Sequence, residues 1–238
     1  AATSRGTGAP EGCERIEARG VQVGAEGVDF DLAWRGEVRR VKARVLGLFN
    51  VDNMIGAAGV MLAAGIGLEE LVPMLEELEP PAGRLERVTG PGMPLGVVDY
   101  CHTPDAVEKA LESLRPVAEA RGGKLWTLIG AGGNRDHGKR PIMGRIAQLS
   151  DEIIVTSDNP RFEEPSEIAR MVAEGAGSPR IVLDRAEAIR EAVREAAPED
   201  VILVAGKGHE TYQEVRGVRH HFSDVEALRA AFEAKKKL

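Results

Sequence analysis

The 238 residues, 43% hydrophobic and 29% charged, carry enough apolar material for one large domain or two smaller ones and exclude a chain that is disordered throughout. A net charge of −7 excludes a general electrostatic attraction to nucleic acid or to an anionic membrane, so any anionic ligand must be met by a local cluster of cations. Cys13 and Cys101 stand far apart without metal-ligand spacing, and no run reaches the ~18 apolar residues of a membrane span, which together fit a reducing cytoplasm.

The stretch 1–12 is small, polar and glycine-rich without an apolar core, and reads as a flexible leader or the edge of a longer polypeptide. From Arg15 to Leu46 short alternating runs, broken at Gly24-Ala25-Glu26-Gly27 and Gly36, predict a small antiparallel meander. Asn53 to Ala64 and Leu68 to Leu78 then follow helical spacing, with Asn50 or Asn53 as an ordinary N-cap. Pro80-Pro81-Ala82-Gly83 can neither continue a helix nor join a central strand, and so marks a boundary between 1–81 and 82–238.

Beyond that boundary the rhythm changes. Apolar runs at 95–98, 125–129, 153–156, 181–183 and 201–205 alternate with helical stretches near 105–120, 141–149, 166–174, 185–196 and 224–234. This predicts a Rossmann-like, doubly wound α/β domain with a mainly parallel sheet. Ligands of such sheets lie outside the carboxyl ends of the strands, where the polar motifs fall. Asp99-Tyr100-Cys101-His102 follows the first run, Gly130 to Arg140 the second, Asp158 to Arg161 the third and Gly206 to Glu210 the fifth. The tail Lys235-Lys236-Lys237 reads as solvated.

Gly133 to Lys139 formally matches G-x-x-x-x-G-K, but Arg140-Pro141 stands where a phosphate loop needs Ser or Thr for magnesium. A loop presenting Arg135 and Lys139 to an anionic group is the better reading. Asp158-Asn159-Pro160-Arg161 sets a carboxylate and a guanidinium around a proline-fixed turn, able to hold an ammonium and a carboxylate of one amino acid. The plain alternative is an Asn-Pro turn with solvated or mutually paired charges. In Gly206-Lys207-Gly208-His209-Glu210 the glycines permit close backbone approach and Glu210 can receive a second ammonium, while His209 is either a base or an ordinary hydrogen-bonded residue. Cys101 and His102 are adjacent, which points their side chains apart and argues against a Cys-His nucleophile. Convergence of these loops on one sheet edge is what favours a site.

Taken in order, Gly47-Leu48-Phe49-Asn50-Val51-Asp52-Asn53, Gly83-Arg84-Leu85-Glu86, Val98-Asp99-Tyr100-Cys101-His102-Thr103-Pro104, Gly132-Gly133-Asn134-Arg135-Asp136, Asp158-Asn159-Pro160-Arg161 and Ala205-Gly206-Lys207-Gly208-His209-Glu210 closely resemble the motifs of the Mur ligase family. Within it they resemble the members that add a diamino acid to UDP-MurNAc-L-Ala-D-Glu. The resemblance implies that 1–81 is the end of a central ATPase domain and 82–238 the amino-acid-binding domain. The family's Walker loop, carbamylated lysine and magnesium ligands lie upstream of the part this chain resembles, so no metal site and no certain catalytic residue is expected here.

By the same resemblance Asn50 and Asn53 would line an adenine pocket, Arg84 and Asp99 would reach ATP, and Tyr100 and His102 would shape that junction. Arg135, Asp158, Asn159, Pro160, Arg161, Gly206 and Glu210 match the positions for the incoming diamino acid. Asp-Asn-Pro-Arg implies meso-diaminopimelate rather than lysine, because an arginine placed for a second carboxylate is left unpaired by lysine. Cys101 departs from the family, which commonly has Ala there.

The implied reaction is cytoplasmic and uses ATP and Mg2+ to couple meso-diaminopimelate to the UDP-MurNAc-dipeptide in peptidoglycan synthesis, with a monomer as the expected state. The alternatives are a lysine-adding member, another amide ligase of folylpolyglutamate or cyanophycin synthetase type, or a non-catalytic amino-acid-binding module. Those two ligase types share the Asp-Tyr-x-His region but lack the Asp-Asn-Pro-Arg and Gly-Lys-Gly-His-Glu pair.

Overall fold

The computed structural model describes residues 2–3, 13–24 and 26–237, which fall into two units, Ala1–Glu79 and Pro80–Leu238. In the first, β1 (Ala2–Thr3), β2 (Arg15–Gly24), β3 (Gly27–Trp34) and β4 (Glu37–Ala43) form a sheet in that order, and α1 (Leu48–Ala63) and α2 (Leu68–Glu76) follow. The alternation read between 15 and 46 is that of β2 to β4, whose Ile16, Val28, Phe30, Leu32 and Val41 bury against Val51, Met54, Ile55, Leu62 and Leu71 of the helices.

Two expectations fail in this unit. Part of the supposed leader is a strand, because β1 pairs in parallel with β2 through Ala2–Arg15 and Thr3–Ile16; residues 4–12 lie outside the described residues. Helix α1 also begins five residues earlier than its alanine-rich stretch. Gly47, at φ 87°, precedes the helix without a side-chain cap, and Asn50 and Asn53 lie inside it. The Asn50 amide donates back to the Leu46 carbonyl at 2.8 Å, and the Asn53 amide donates to Asn50 Oδ1 at 3.2 Å.

The second unit is built on a six-stranded sheet in the order β5-β6-β10-β7-β8-β9. Its strands are β5 (Glu86–Val88), β6 (Leu95–Asp99), β7 (Leu125–Ile129), β8 (Glu152–Val155), β9 (Arg180–Ile181) and β10 (Val201–Ala205). All pairings are parallel except β5 with β6. The uninterrupted apolar runs of β6, β7 and β10 are buried along their whole length, as strands covered on both faces must be.

Helices α3 (Pro104–Arg121), α4 (Lys139–Ala147) and α5 (Pro165–Ala173) pack along one face of the sheet. On the other, α6 (Arg185–Glu195) and α7 (Asp224–Lys235) bury Ile189, Val193, Leu228 and Phe232 against Trp126, Leu128, Ile202 and Val204. Helix boundaries follow local chemistry. Thr103 accepts from the Ala106 N–H ahead of Pro104, and Gly122 ends α3 in the left-handed region; Asp184 and Ser223 cap α6 and α7.

β10, the last strand of this sheet in sequence, lies between β6 and β7 and runs parallel to both, so the loops after β6, β7, β8 and β10 open on the same sheet edge. A hairpin absent from the sequence reading, β11 (Tyr212–Val215) and β12 (Val218–His221), follows the β10 loop through Arg216 and Gly217, both at positive φ.

Candidate functional site

The four loops surround a cleft of about 430 Å³ lined by Tyr100, His102 and Thr103, by Gly132, Arg135, Asp136 and Lys139, by Asp158, Asn159 and Arg161, and by Gly206 and Glu210. Nine residues singled out in the sequence, Tyr100, His102, Arg135, Lys139, Asp158, Asn159, Arg161, Gly206 and Glu210, therefore meet at one place. Pro160, Arg84 and Asp99 do not line it, and Asn50 and Asn53 belong to the first unit.

Asp158 and Arg161 are not paired with each other. The Asp158 side chain is turned in, and its Oδ1 is buried without a hydrogen-bond partner. Arg161 sits at φ 53°, where a non-glycine backbone persists only if its surroundings impose it. Here they do, since its N–H donates to the Glu214 carbonyl at 3.0 Å and its own carbonyl accepts from the Arg216 N–H at 2.6 Å. Its Nη1 then donates to the Gly133 carbonyl at 2.8 Å, which aims the guanidinium across the cleft. The hairpin is thus what positions Arg161. Its sequence signal was the Arg216-Gly217 pair between two four-residue runs rich in Val, Tyr and His.

Asn159 acts on its neighbours. Its Nδ2 donates to Glu210 Oε2 at 2.8 Å, while its Oδ1 accepts from Lys207 Nζ at 3.1 Å and from the Glu214 N–H at 2.9 Å. Lys207, noted only as part of a glycine-rich motif, is 0% exposed and reaches Glu210 Oε2 at 3.2 Å. The flanking Gly206 and Gly208, at φ 115° and 52°, permit the turn that sends this lysine inward. Gly208 packs so closely on Tyr100 and Gly83 that an added Cβ would stand 2.6 Å from Tyr100 Cβ.

The Gly133–Lys139 loop does not form a phosphate cradle. The Asp136 carboxylate accepts from the Gly138 N–H at 2.9 Å, and Lys139 Nζ donates to the His102 carbonyl at 2.7 Å. Partial burial pulls the Lys139 ammonium below its ordinary pKa. Beneath the loop, buried Arg140 grips both oxygens of Glu163, at 2.9 and 3.0 Å, and Glu163 also accepts from the Asn134 N–H. The guanidinium's hydrogen bonds hold the Glu163 pKa down at about 2, despite partial desolvation of the carboxylate.

Asp99 is engaged on both oxygens by backbone, accepting from the N–H groups of Leu85 and Cys101, each at 2.8 Å. Cys101 is buried and His102 exposed, and burial, then the Asp99 charge, push the Cys101 thiol well above its ordinary range. At the rim the Tyr100 ring meets His102 edge-on at 4.6 Å, His209 at 5.2 Å and the Arg84 guanidinium at 5.2 Å. Among the described residues no group of three or more His, Cys, Asp or Glu is placed to hold a metal ion, and no helix is long and apolar enough to cross a membrane.

A doubly wound sheet with convergent charged loops defines a class of small-molecule binding domain, and comparison with known proteins narrows it. Residues 83–208 match the model of the Mur ligase glutamate ligase domain. A UDP-N-acetylmuramoyl-L-alanyl-D-glutamate–2,6-diaminopimelate ligase of Ralstonia nicotianae is 46% identical over 239 residues, covering 99% of this chain and 46% of that protein. A solved structure of a ligase of the same name superposes with a TM-score of 0.72 at 37% identity, over 93% of this chain and 46% of the other. A folylpolyglutamate synthase from Thermotoga maritima, 19% identical, superposes at a TM-score of 0.64 over 80% of this chain and 43% of its own, and shares the fold. The chain belongs to the Mur ligase family. It spans about half the length of the curated relatives it matches.

Proposed function

We propose that this chain is the amino-acid-accepting part of an ATP-dependent ligase that adds meso-diaminopimelate to UDP-MurNAc-L-Ala-D-Glu. The observation that carries the reading is one cleft that brings together the carboxylates of Asp158 and Glu210 and the guanidinium groups of Arg135 and Arg161, while its other two charged residues, Asp136 and Lys139, are bonded to the backbone at Gly138 and His102. A diamino dicarboxylic acid offers the complementary set, two ammonium and two carboxylate groups. Lysine would leave one guanidinium without its partner in a partly desolvated site. The names of the most similar relatives support the same substrate.

In this reading the γ-carboxylate of D-glutamate would take the terminal phosphoryl group of ATP, with Mg2+ assisting and ADP leaving, and the bound amine would attack the resulting acyl phosphate, displacing phosphate as the amide forms. This chain's residues orient and match charge. Arg161, fixed by the hairpin, and Arg135 hold carboxylates; Asp158 and Glu210, the latter fixed by Asn159, hold ammonium groups. Arg84, Asp99, Tyr100 and His102, and Asn50 and Asn53 in the first unit, are proposed for the nucleotide side. Since the Asp99 oxygens already accept backbone N–H groups, its part there is to hold the turns at Leu85 and Cys101.

The test is incorporation of radiolabelled meso-diaminopimelate and lysine into UDP-MurNAc-L-Ala-D-Glu by a polypeptide carrying this chain together with a P-loop domain. Preference for diaminopimelate by about 100-fold or more in kcat/KM is expected; equal use of lysine overturns the assignment.

A further inference from the structure

Lys207 has no role in the scheme above, yet it is fully buried at the junction of the site's two acidic loops. Its ammonium lies 3.2 Å from Glu210 Oε2, 3.1 Å from Asn159 Oδ1 and 3.8 Å from Asp158 Oδ1, with the Tyr212 ring 5.5 Å away. An ammonium taken wholly out of water is costly unless its surroundings compensate it, and two carboxylates so close together repel each other unless a cation stands between them. Each group supplies what the others lack.

From this geometry we infer that Lys207 is a positioning residue for diamino-acid binding, an internal counter-ion that lies between the carboxylates of Asp158 and Glu210 and fixes Asn159 and Glu210 in their orientation. The inference rests on the amino-acid-site reading. Compensation is deliberately incomplete in geometric terms. Lys207 is in hydrogen-bond reach of Glu210 and Asn159, whereas Asp158 Oδ1, 3.8 Å off, keeps no hydrogen bond at all. Asp158 lines the cleft with its Oδ1 buried on the Lys207 side, so the lysine acts on this carboxylate from within the protein while the residue borders the cleft.

The sequence around it explains how the lysine comes to lie there. The backbone turns at positive φ on both sides of Lys207, and Asn159 carries a carbonyl oxygen to the ammonium and an amide to Glu210. Aspartate at 159 would reverse the second contact, placing a third carboxylate against Glu210.

The experiment measures Lys207→Met, Lys207→Arg and Glu210→Gln, singly, and Lys207→Met with Glu210→Gln, in the ligase-competent full-length polypeptide. Lys207→Met is expected to raise KM for meso-diaminopimelate by about 30-fold or more, with kcat and the KM for ATP changed less than about threefold, and Lys207→Arg to recover part of the loss. In the Glu210→Gln background the same lysine change is expected to cost much less, because the repulsion it relieves is gone. Additive losses, or parallel loss of kcat and both KM values, overturn the proposal in favour of a purely structural lysine. Should Lys207→Met fail to fold, the double variant against Glu210→Gln alone decides: a similar KM supports the inference and a further tenfold rise overturns it. If Glu210→Gln itself leaves the diamino-acid KM unchanged, the amino-acid-site reading falls instead.

Discussion

Arg161 is held from several sides before any ligand arrives: its backbone bridges the hairpin, its Nη1 anchors on Gly133, and Glu214 stands 3.9 Å from its Nε. A guanidinium fixed in this way meets a carboxylate with little further loss of freedom, which is what a selective contact requires. Arg161→Ala in the full-length polypeptide is therefore expected to raise KM for meso-diaminopimelate by roughly 10- to 100-fold with little change in the KM for ATP. Steady-state kinetics with each substrate varied in turn check this; equal loss for both indicates a folding defect. Asp158 and Arg161 also show why a tetrapeptide cannot be judged in isolation. Three residues apart in sequence, they could have neutralised one another, and only the fold turns the acid inward while the hairpin holds the arginine apart.

At the scale of elements, the loops after β7 and β8 are joined by Arg140 of α4 gripping Glu163. The carboxyl's pKa falls from an ordinary 4.5 to about 2 on folding, so the ion pair contributes its full stability above the unfolded value and loses it as pH falls from about 4.5 toward 2. Thermal melts of the chain and of Glu163→Gln across that range check the sign. The wild-type advantage is expected to shrink steadily below pH ~4.5, and a constant gap would show that the carboxylate's ionisation is not what joins the loops. The same elements mark where periodicity misleads. Helix α1 extends upstream of its alanine-rich stretch because Leu48 to Asn53 bury Val51 against the first unit's sheet, which no N-cap preference reveals. The hairpin of β11 and β12 is half exposed and short, so it carried only a two-residue turn signal.

At the scale of the molecule, the two units each have their own apolar core, and the nucleotide chemistry proposed for the family's reaction needs a phosphate loop. The sequence holds no G-x-x-G-K-[ST] element, and the loop that mimics one turns its lysine onto the His102 carbonyl. The purified 238-residue chain is therefore expected neither to hydrolyse ATP nor to form the amide bond by itself, as phosphate release and radiolabel transfer would report. Turnover by the isolated chain would overturn this.

The sequence by itself determined the alternation of buried strands and helices after Pro80, the edge of the sheet on which the loops gather, and the family, because apolar runs, caps and glycine-bearing motifs are local patterns. What it could not carry was the state of each charge. Nothing in Gly206-Lys207-Gly208 shows that Lys207 is buried, since its surroundings include Asp158 and Asn159 from the end of another strand as well as Glu210 of its own loop. Asp99, which the resemblance sets near ATP, accepts from two backbone N–H groups, a state its sequence does not reveal. Whether a charge faces a ligand, a partner or water is decided by residues remote in sequence, because electrostatic compensation depends on distances that only the folded chain sets.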